Sequence, residues 1–212
     1  VRVLAASGYR VSAPKVEGRP LCCGRTYLAA GMVEQARAEA RRTLVALSQS
    51  DAPVLGLEPS CLMTLRDEFA SLLPGEAAEA LSRRAFLVTE FLEAKEALPA
   101  LKGVAGIAHI HGHCHQKAFG AFPAAVKALK RVPGMEVKPI QSSCCGMAGA
   151  FGSEAKTFET SVAMAELSLL PAVRAAGATD VIVADGTSCR HQIQDLAGRE
   201  AVHSIRVLDR AL

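Results

Sequence analysis

Tryptophan is absent from this sequence of 212 residues, and aromatic residues make up only 4% of it. No apolar run approaches the roughly 20 residues that a membrane-spanning helix needs. The formal net charge is only +3, which is too weak to favour nucleic acid or an anionic membrane surface as a partner. Half of the residues are hydrophobic, which is enough for a sizeable core in one large domain or two smaller ones.

The cysteines are the unusual feature of the sequence. There are seven, an odd number that cannot pair fully within one chain, so a secreted disulfide framework is disfavoured and an intracellular metal or redox site is favoured. Four of them form adjacent pairs followed by glycine, in "LCCGR" at Cys22 and Cys23 and in "QSSCCGMAGAFG" at Cys144 and Cys145. Adjacent cysteines are too close together for an ordinary disulfide.

The chain repeats itself around these pairs. Each Cys-Cys-Gly is followed by a long helical pattern, which in the second half is "SVAMAELSLLPAVRAAG". A short apolar run of strand type comes next, "APVLGL" in the first half and "DVIVAD" in the second, and each run leads to a Ser-Cys step at Cys61 or Cys189. Strands that alternate with helices predict parallel βαβ units.

We therefore predict an α/β fold of two pseudo-symmetric, Rossmann-like halves with parallel sheets. The first repeat covers 1–98, the join 99–105 and the second repeat 106–212. A pseudo-two-fold should place the cysteines of one half on those of the other. The segment that opens the second repeat has its counterpart upstream of Val1, so we expect the first repeat to be truncated at its N-terminus and its sheet to lack one strand.

The second-half cysteines follow predicted strands. Ligands of a parallel α/β sheet collect at the carboxyl ends of its strands, so the loops after the strands at 106–111, 135–140 and 180–185 should meet there. Four thiolates at one edge would make an all-cysteine site of the kind that iron–sulfur clusters and structural zinc both use. The four candidate ligands are Cys114, Cys144, Cys145 and Cys189.

Glycines and cations near the cysteines are suited to support such a site. Gly146 and Gly149 let the backbone pass close to a cluster and turn into a helix. Lys117 and Arg190 in the second half, and Arg25 in the first, lie close in sequence to cysteines and would stabilise thiolates.

A run of alternating histidines offers a different ligand set. In "HIHGHCH" a continuing strand would place the four histidines on one face and Cys114 on the other. Because histidine is a common metal ligand, a zinc site that uses His113 or His115 together with cysteines remains an alternative.

The motifs "LCCGR", "HGHCHQKA", "CCGMAGAFG" and "GTSCRHQI" resemble the cysteine-rich CCG domain family. That domain occurs in heterodisulfide reductase, in iron–sulfur subunits of glycolate oxidase and anaerobic glycerol-3-phosphate dehydrogenase, and at the C-terminus of FAD-linked D-lactate dehydrogenase-type oxidases. The last group is the most similar. The resemblance implies oxidation of a 2-hydroxy acid at a flavin, with electrons leaving through iron–sulfur centres.

The sequence departs from the family pattern of Cys, Cys-Cys-Gly and Cys-x-x-Cys. Gly186 and Glu58 stand where the first cysteine of Cys-x-x-Cys belongs in the second and first halves. A five-ligand non-cubane cluster is therefore disfavoured, and a four-thiolate 4Fe–4S cluster or zinc fits the second half better. The first half retains Cys22, Cys23 and Cys61, with Glu58 as an oxygen ligand better suited to zinc, and we expect it to be metal-free.

Three functions remain open from the sequence. The first is an electron-transfer domain of a FAD-linked dehydrogenase for D-lactate, glycolate or 2-hydroxyglutarate, with FAD on another domain or subunit. Its expected partners are that flavin domain, a ferredoxin-like iron–sulfur domain and a quinone-linked acceptor, in the cytoplasm or at the inner face of the membrane. The others are a zinc-binding docking module and a thiol/disulfide redox domain of the heterodisulfide reductase type. No nucleotide-binding G-x-G-x-x-G is present, so the fragment itself should bind no flavin and should not oxidise a hydroxy acid alone.

Overall fold

The computed structural model describes residues 1–212 and divides them into two compact units. The smaller unit is 11–88, and the larger combines 1–10 with 89–212. The opening helix belongs to the larger unit, where Arg2 forms an ion pair with Asp209 and the ring of Tyr9 packs edge-on against Phe91. These units differ in extent from the repeats at 1–98 and 106–212, whose boundaries describe sequence similarity and stay a prediction.

The larger unit is built on a four-stranded parallel sheet with the order β4-β3-β5-β6. The predicted α/β class with parallel strands is confirmed. Its strands are β3 (Gly106–His111), β4 (Met135–Pro139), β5 (Val181–Ala184) and β6 (Ala201–Val202). Its helices are α1 (Arg2–Ala6), most of α7 (Val88–Ala94), α8 (Cys114–Ala118), α9 (Phe122–Lys130), α10 (Phe158–Glu166), α11 (Leu169–Ala175), α12 (Thr187–Ala197) and α13 (Ser204–Arg210).

The helical pattern after the second Cys-Cys-Gly forms two helices rather than one. α10 ends at Glu166 and α11 begins at Leu169, and between them Leu167 is 77% exposed. Pro171 explains the break, because a proline ring clashes with the carbonyl four residues earlier in a continuous helix, here that of Leu167. The prediction of one long helix was wrong at this point.

The smaller unit has a parallel sheet of only two strands, β1 (Val54–Gly56) and β2 (Ala85–Leu87). Its helices are α2 (Arg25–Ala29), α3 (Val33–Leu47), α4 (Pro59–Arg66), α5 (Glu68–Leu72) and α6 (Glu76–Arg83). Three helices, α4, α5 and α6, lie between the parallel strands β1 and β2, whereas the single helix α12 lies between β5 and β6 in the larger unit.

The smaller sheet has two strands fewer than the larger one, whereas we expected one fewer. The larger sheet supplies the reason, because β4 pairs with β3 alone. The stretch that aligns with β4 in the first repeat, at 9–13, finds no strand of the β3 type in the sheet of the smaller unit, and it is not a strand. Without a partner a strand cannot form its ladder of hydrogen bonds. None of the helices combines the length and apolar character that a membrane span requires.

Candidate metal centre

The site of the larger unit lies at the carboxyl ends of its parallel strands. β3 ends at His111, and α8 begins at Cys114 three residues later. β4 ends at Pro139 before the loop with Cys144 and Cys145, and β5 is followed by α12, which carries Cys189. This is the edge at which open parallel sheets place their ligands.

Two cysteines and one histidine meet in the interior of this edge. Cys145, Cys189 and His111 are 5%, 1% and 1% exposed. Their ligand atoms all lie within 4.8 Å of one another. That separation is well inside the span of a single small metal centre.

Cys114 and Cys144 extend the group into a chain of four thiols. The Cys144 thiol interacts with those of Cys114 and Cys145, and the Cys145 thiol interacts also with that of Cys189. Cys114 and Cys144 are half-buried. The structure thus brings together all four second-half cysteines that the sequence singled out.

The pKa shifts alternate along this chain of thiols. Hydrogen bonds from Cys114 and Cys145 hold the pKa of Cys144 far below its usual range, and the bond from Cys145 does the same for Cys189 with help from the ring of His111. The pKa values of Cys114 and Cys145 are raised, because each thiol keeps the proton that it donates to a neighbouring thiolate and both are desolvated. Two of the four sulfurs therefore keep their protons, and all four could ionise together only beside a cation that neutralises them.

Gly146 shapes the loop that carries the cysteine pair. Its φ is +89°, and its backbone N–H donates to the Sγ of Cys144 at 3.3 Å. A Cβ at this position would lie 2.2 Å from the carbonyl oxygen of Ser161 in α10. Glycine is required here because the loop combines a left-handed turn with close packing on the following helix. Gly149 also has a positive φ, +72°, but has open space around it.

The basic residues near the cysteines bind backbone carbonyls. Lys117 donates to the carbonyls of Ser142 and Ser143 and so holds the loop before Cys144 against α8. The pKa of Lys117 is lowered by burial, and the surrounding cysteines offset only part of this effect. Arg190 donates to the carbonyls of Ala184 and Asp185 at the end of β5, so its observed contacts stabilise the strand end rather than a thiolate.

The predicted run of histidines on one strand face does not continue past His111. β3 ends there, and His113 is the N-cap of α8, where its Nδ1 accepts from the backbone N–H of His115 at 3.2 Å. His115 packs edge-on against the ring of His113, with 5.1 Å between the ring centroids. His111 was not among the candidate ligands, although its place at the carboxyl end of β3 was the available signal.

A buried polar contact joins the helix of Cys114 to the strand before Cys189. Gln116 Nε2 donates to Asp185 Oδ2 at 2.7 Å, and Asp185 Oδ1 accepts from the backbone N–H of Ser204 at 2.9 Å. Gln116 also caps α8 through the backbone N–H of His113. One side chain thus sets both the start of α8 and its distance from β5.

The smaller unit repeats part of this geometry. The N–H of Gly24, whose φ is +78°, donates to the Sγ of Cys22 at 3.4 Å. The hydrogen bond from Cys61 lowers the pKa of Cys23 to about 6, and the backbone N–H of Arg25 contributes. Cys61 itself is exposed.

The first-half candidates other than cysteine have structural partners. The carboxylate of Glu58 is the N-cap of α4 and accepts from the N–H and the hydroxyl of Ser60. The guanidinium of Arg25 forms an ion pair with Glu68. Three thiols and a capping carboxylate thus remain in this unit, against four thiols and an inward-facing histidine in the other.

The glycine that replaces a family cysteine is in close contact with His113. A Cβ on Gly186 would lie 2.4 Å from the Cδ2 of His113 and 3.1 Å from the Sγ of Cys189. The ring of His113 therefore fills the space that a side chain at position 186 would need. A cysteine at position 186 would therefore fit only if His113 moved.

Gly186→Ala should destabilise the protein chiefly through His113. We expect a coupling of about 1 kcal/mol or more between Gly186→Ala and His113→Ala in a double-mutant cycle of unfolding free energies, because removal of the ring makes room for the new methyl group. Denaturant unfolding of the four proteins measures it. Additive effects of the two substitutions would contradict the steric explanation.

Comparison with known proteins gives a consistent result. Residues 108–194 match the model of the CCG cysteine-rich domain. The whole chain is 28% identical to 54% of an anaerobic glycerol-3-phosphate dehydrogenase subunit of Escherichia coli K12. About three quarters of it (74%) is 30% identical to 15% of the D-2-hydroxyglutarate dehydrogenase of the same strain.

A third relative is of similar size to the chain. Lactate utilization protein A of Macrococcus caseolyticus is 27% identical over 99% of this chain and 87% of its own length. The chain spans only about half of the glycerol-3-phosphate dehydrogenase subunit. The cysteine motifs, the four-thiol site and the matched region agree, and residues 108–194 form a cysteine-rich domain of the CCG family.

Proposed function

We propose that this chain is the iron–sulfur electron-transfer region of a FAD-linked 2-hydroxy-acid dehydrogenase. The observation that carries the proposal is the placement of four cysteines after the carboxyl ends of β3, β4 and β5, with the sulfurs of Cys145 and Cys189 within 4.8 Å of each other. The names of the relatives support the enzyme class, since they include two dehydrogenases and a lactate utilization protein. The candidate substrates of that dehydrogenase are D-lactate, glycolate and 2-hydroxyglutarate.

The residues present fit a metal centre. The alternating pKa shifts identify two sulfurs that ionise readily and two that would follow once a cation neutralised their neighbours. The loop N–H of Gly146 and the ammonium of Lys117 add positive potential at the same edge. Cys114, Cys144, Cys145 and Cys189 would hold a 4Fe–4S cluster, which supplies one-electron transfer when bound.

The flavin and the further redox centres would belong to other domains or subunits. A flavin delivers electrons from a hydroxy acid, and a ferredoxin-like domain and a quinone-linked acceptor would complete the path. Attachment would then be peripheral at the inner face of the membrane, through partners. In the smaller unit we propose that Cys22, Cys23 and Cys61 bind no metal in this chain, since three thiols are too few for a closed tetrahedral shell and Glu58 serves α4.

Zinc is the second candidate, and a specific observation favours it. A nitrogen of His111 and the sulfurs of Cys145 and Cys189 all lie within 4.8 Å of one another, close enough to bind one metal ion. Mixed cysteine–histidine sites are common for structural zinc. A zinc centre would make the chain a non-catalytic module that docks the flavin domain.

Anaerobic purification, followed by metal and acid-labile sulfide analysis, separates the two candidates. We expect a brown protein with equal amounts of iron and sulfide and an EPR signal after reduction, because thiolate-to-iron charge transfer colours iron–sulfur proteins. A colourless protein with one bound zinc per chain would support the docking module and refute electron transfer at this site.

A further inference from the structure

We propose that His111 is a direct ligand of this metal centre and binds through Nε2 the metal ion that Cys145 and Cys189 hold. The inference rests on the proposed function in one respect, that the four-thiol site binds a metal. It adds a nitrogen donor to a centre that the sequence motifs describe as all-cysteine. For zinc the three side chains would share one ion. In a 4Fe–4S cluster each iron takes one protein ligand, so His111 would there replace one of the two cysteines as the ligand of its iron.

The position of the ring is the first argument. His111 is the last residue of β3, a central strand that pairs with both β4 and β5. Its side chain is 1% exposed, and its ligand atom lies within 4.8 Å of the two sulfurs, which themselves come from different loops. Three donors from three strand ends thus converge at a point closed to solvent.

The two nitrogens of the ring have different surroundings. Nδ1 lies 2.7 Å from the hydroxyl of Ser142, whereas Nε2 is buried and makes no hydrogen bond of normal geometry, although the ring lies close to the Cys189 sulfur. A buried polar atom without a partner costs free energy, so native proteins rarely leave one. A metal ion between Nε2 and the sulfurs supplies the partner that the protein itself does not.

Ser142 provides the support that metal-binding histidines usually have. A metal-binding ring commonly donates its other N–H to an oxygen, which sets the tautomer and the ring orientation. Here Nδ1–H would donate to the Ser142 hydroxyl and leave the lone pair of Nε2 directed inward. The backbone at Ser142 is in turn held by Lys117, so the supporting residue is itself fixed.

Three other histidines of the unit have hydrogen-bond partners away from the sulfurs of Cys145 and Cys189. His109, two residues earlier on the same strand, places Nε2 2.9 Å from Asp180 Oδ2. The Nδ1 atoms of His113 and His203 accept from backbone N–H groups at the starts of α8 and α13. His109 is therefore a matched control, because it shares the strand and is bonded elsewhere.

A histidine ligand changes the chemistry of the centre. A neutral imidazole contributes no negative charge, so the centre is less electron-rich than one held by thiolates alone. In iron–sulfur proteins, replacement of thiolate by histidine raises the reduction potential. We infer a centre that accepts electrons more readily than the all-cysteine motif suggests.

The test uses Co(II) as a spectroscopic probe in the full chain, reduced and handled anaerobically. We expect the wild-type protein to show thiolate-to-cobalt charge transfer together with a nitrogen hyperfine coupling in pulsed EPR, which should change when the histidines are labelled with ¹⁵N. His111→Ala should retain the charge transfer, lose the nitrogen coupling, shift the ligand-field bands and bind Zn(II) at least about tenfold more weakly. His109→Ala should match the wild type in all four measurements.

The outcomes distinguish this inference from the proposed function. Thiolate-to-cobalt charge transfer in the wild type with no nitrogen coupling overturns the role of His111 and leaves the metal site standing. No binding of cobalt or iron by the wild type overturns the proposed function. If His111→Ala does not fold, the nitrogen coupling of the wild-type protein decides whether His111 is a ligand. The variant Ser142→Ala keeps the ring but removes its support, and it should bind Zn(II) roughly ten- to a hundredfold more weakly.

Discussion

Replacement of Cys144 and Cys145 together by serine should abolish the bound iron or zinc of this protein. The two residues lie in the middle of the thiol chain, where Cys144 contacts Cys114 and Cys145 contacts Cys189. Their loss removes two of four sulfur ligands and separates the remaining two. Metal analysis of the anaerobically purified double variant, by mass spectrometry and by absorbance, measures the effect.

The matched control is the equivalent pair of the first half. Cys22→Ser with Cys23→Ser should change the metal content little, because that unit has three thiols and its Glu58 caps α4. If the control lost the metal and the Cys144/Cys145 variant kept it, the working site would belong to the smaller unit, and our assignment would be wrong.

Gly146→Ala should be among the most destabilising single substitutions in the larger unit. The new Cβ would meet the backbone oxygen of Ser161 at 2.2 Å, and the φ of +89° is unfavourable for any residue with a side chain. A backbone atom of α10, here at the buried residue Ser161, cannot move aside as a flexible side chain would. We expect a loss of about 3 kcal/mol or more in the free energy of unfolding, from strain and overpacking together.

Gly149→Ala separates the two causes of this loss. Gly149 has a similar φ, +72°, but a Cβ added there would have no atom within 4 Å, so only the conformational cost of about 1–2 kcal/mol should remain. Urea unfolding of both variants and the wild type gives the comparison. Equal losses at the two positions would mean that contact with Ser161 plays no part.

The local pattern of the sequence predicted most of the elements around the site. Apolar runs bounded by turn residues gave β3 at 106–111 and β5 within 180–185, close to the observed strands. Parallel order followed from the alternation of strands with helices, and parallel order places strand ends at one edge. The meeting of Cys114, Cys144, Cys145 and Cys189 could therefore be predicted from their places after strands.

Features that depend on distant residues could not be predicted in this way. The two-stranded sheet depends on which strand pairs with which. The break between α10 and α11 is different, because its cause, Pro171, is a local signal that the strong helical period outweighed in our prediction. The pseudo-two-fold between the repeats stays a prediction, although Gly24 and Gly146 bind the preceding cysteine sulfur in the same way.

The histidines show most clearly where information in the sequence ends. The types and spacing of the residues are enough to indicate an α/β chain with a cysteine metal site, because side-chain chemistry and hydrophobic period are local properties. These local properties do not distinguish the four histidines at alternate positions of the sequence from one another. Only the folded chain brings Asp180 to His109 and Ser142 to His111, and it places the ring of His111, alone among the four, beside the sulfurs of Cys145 and Cys189.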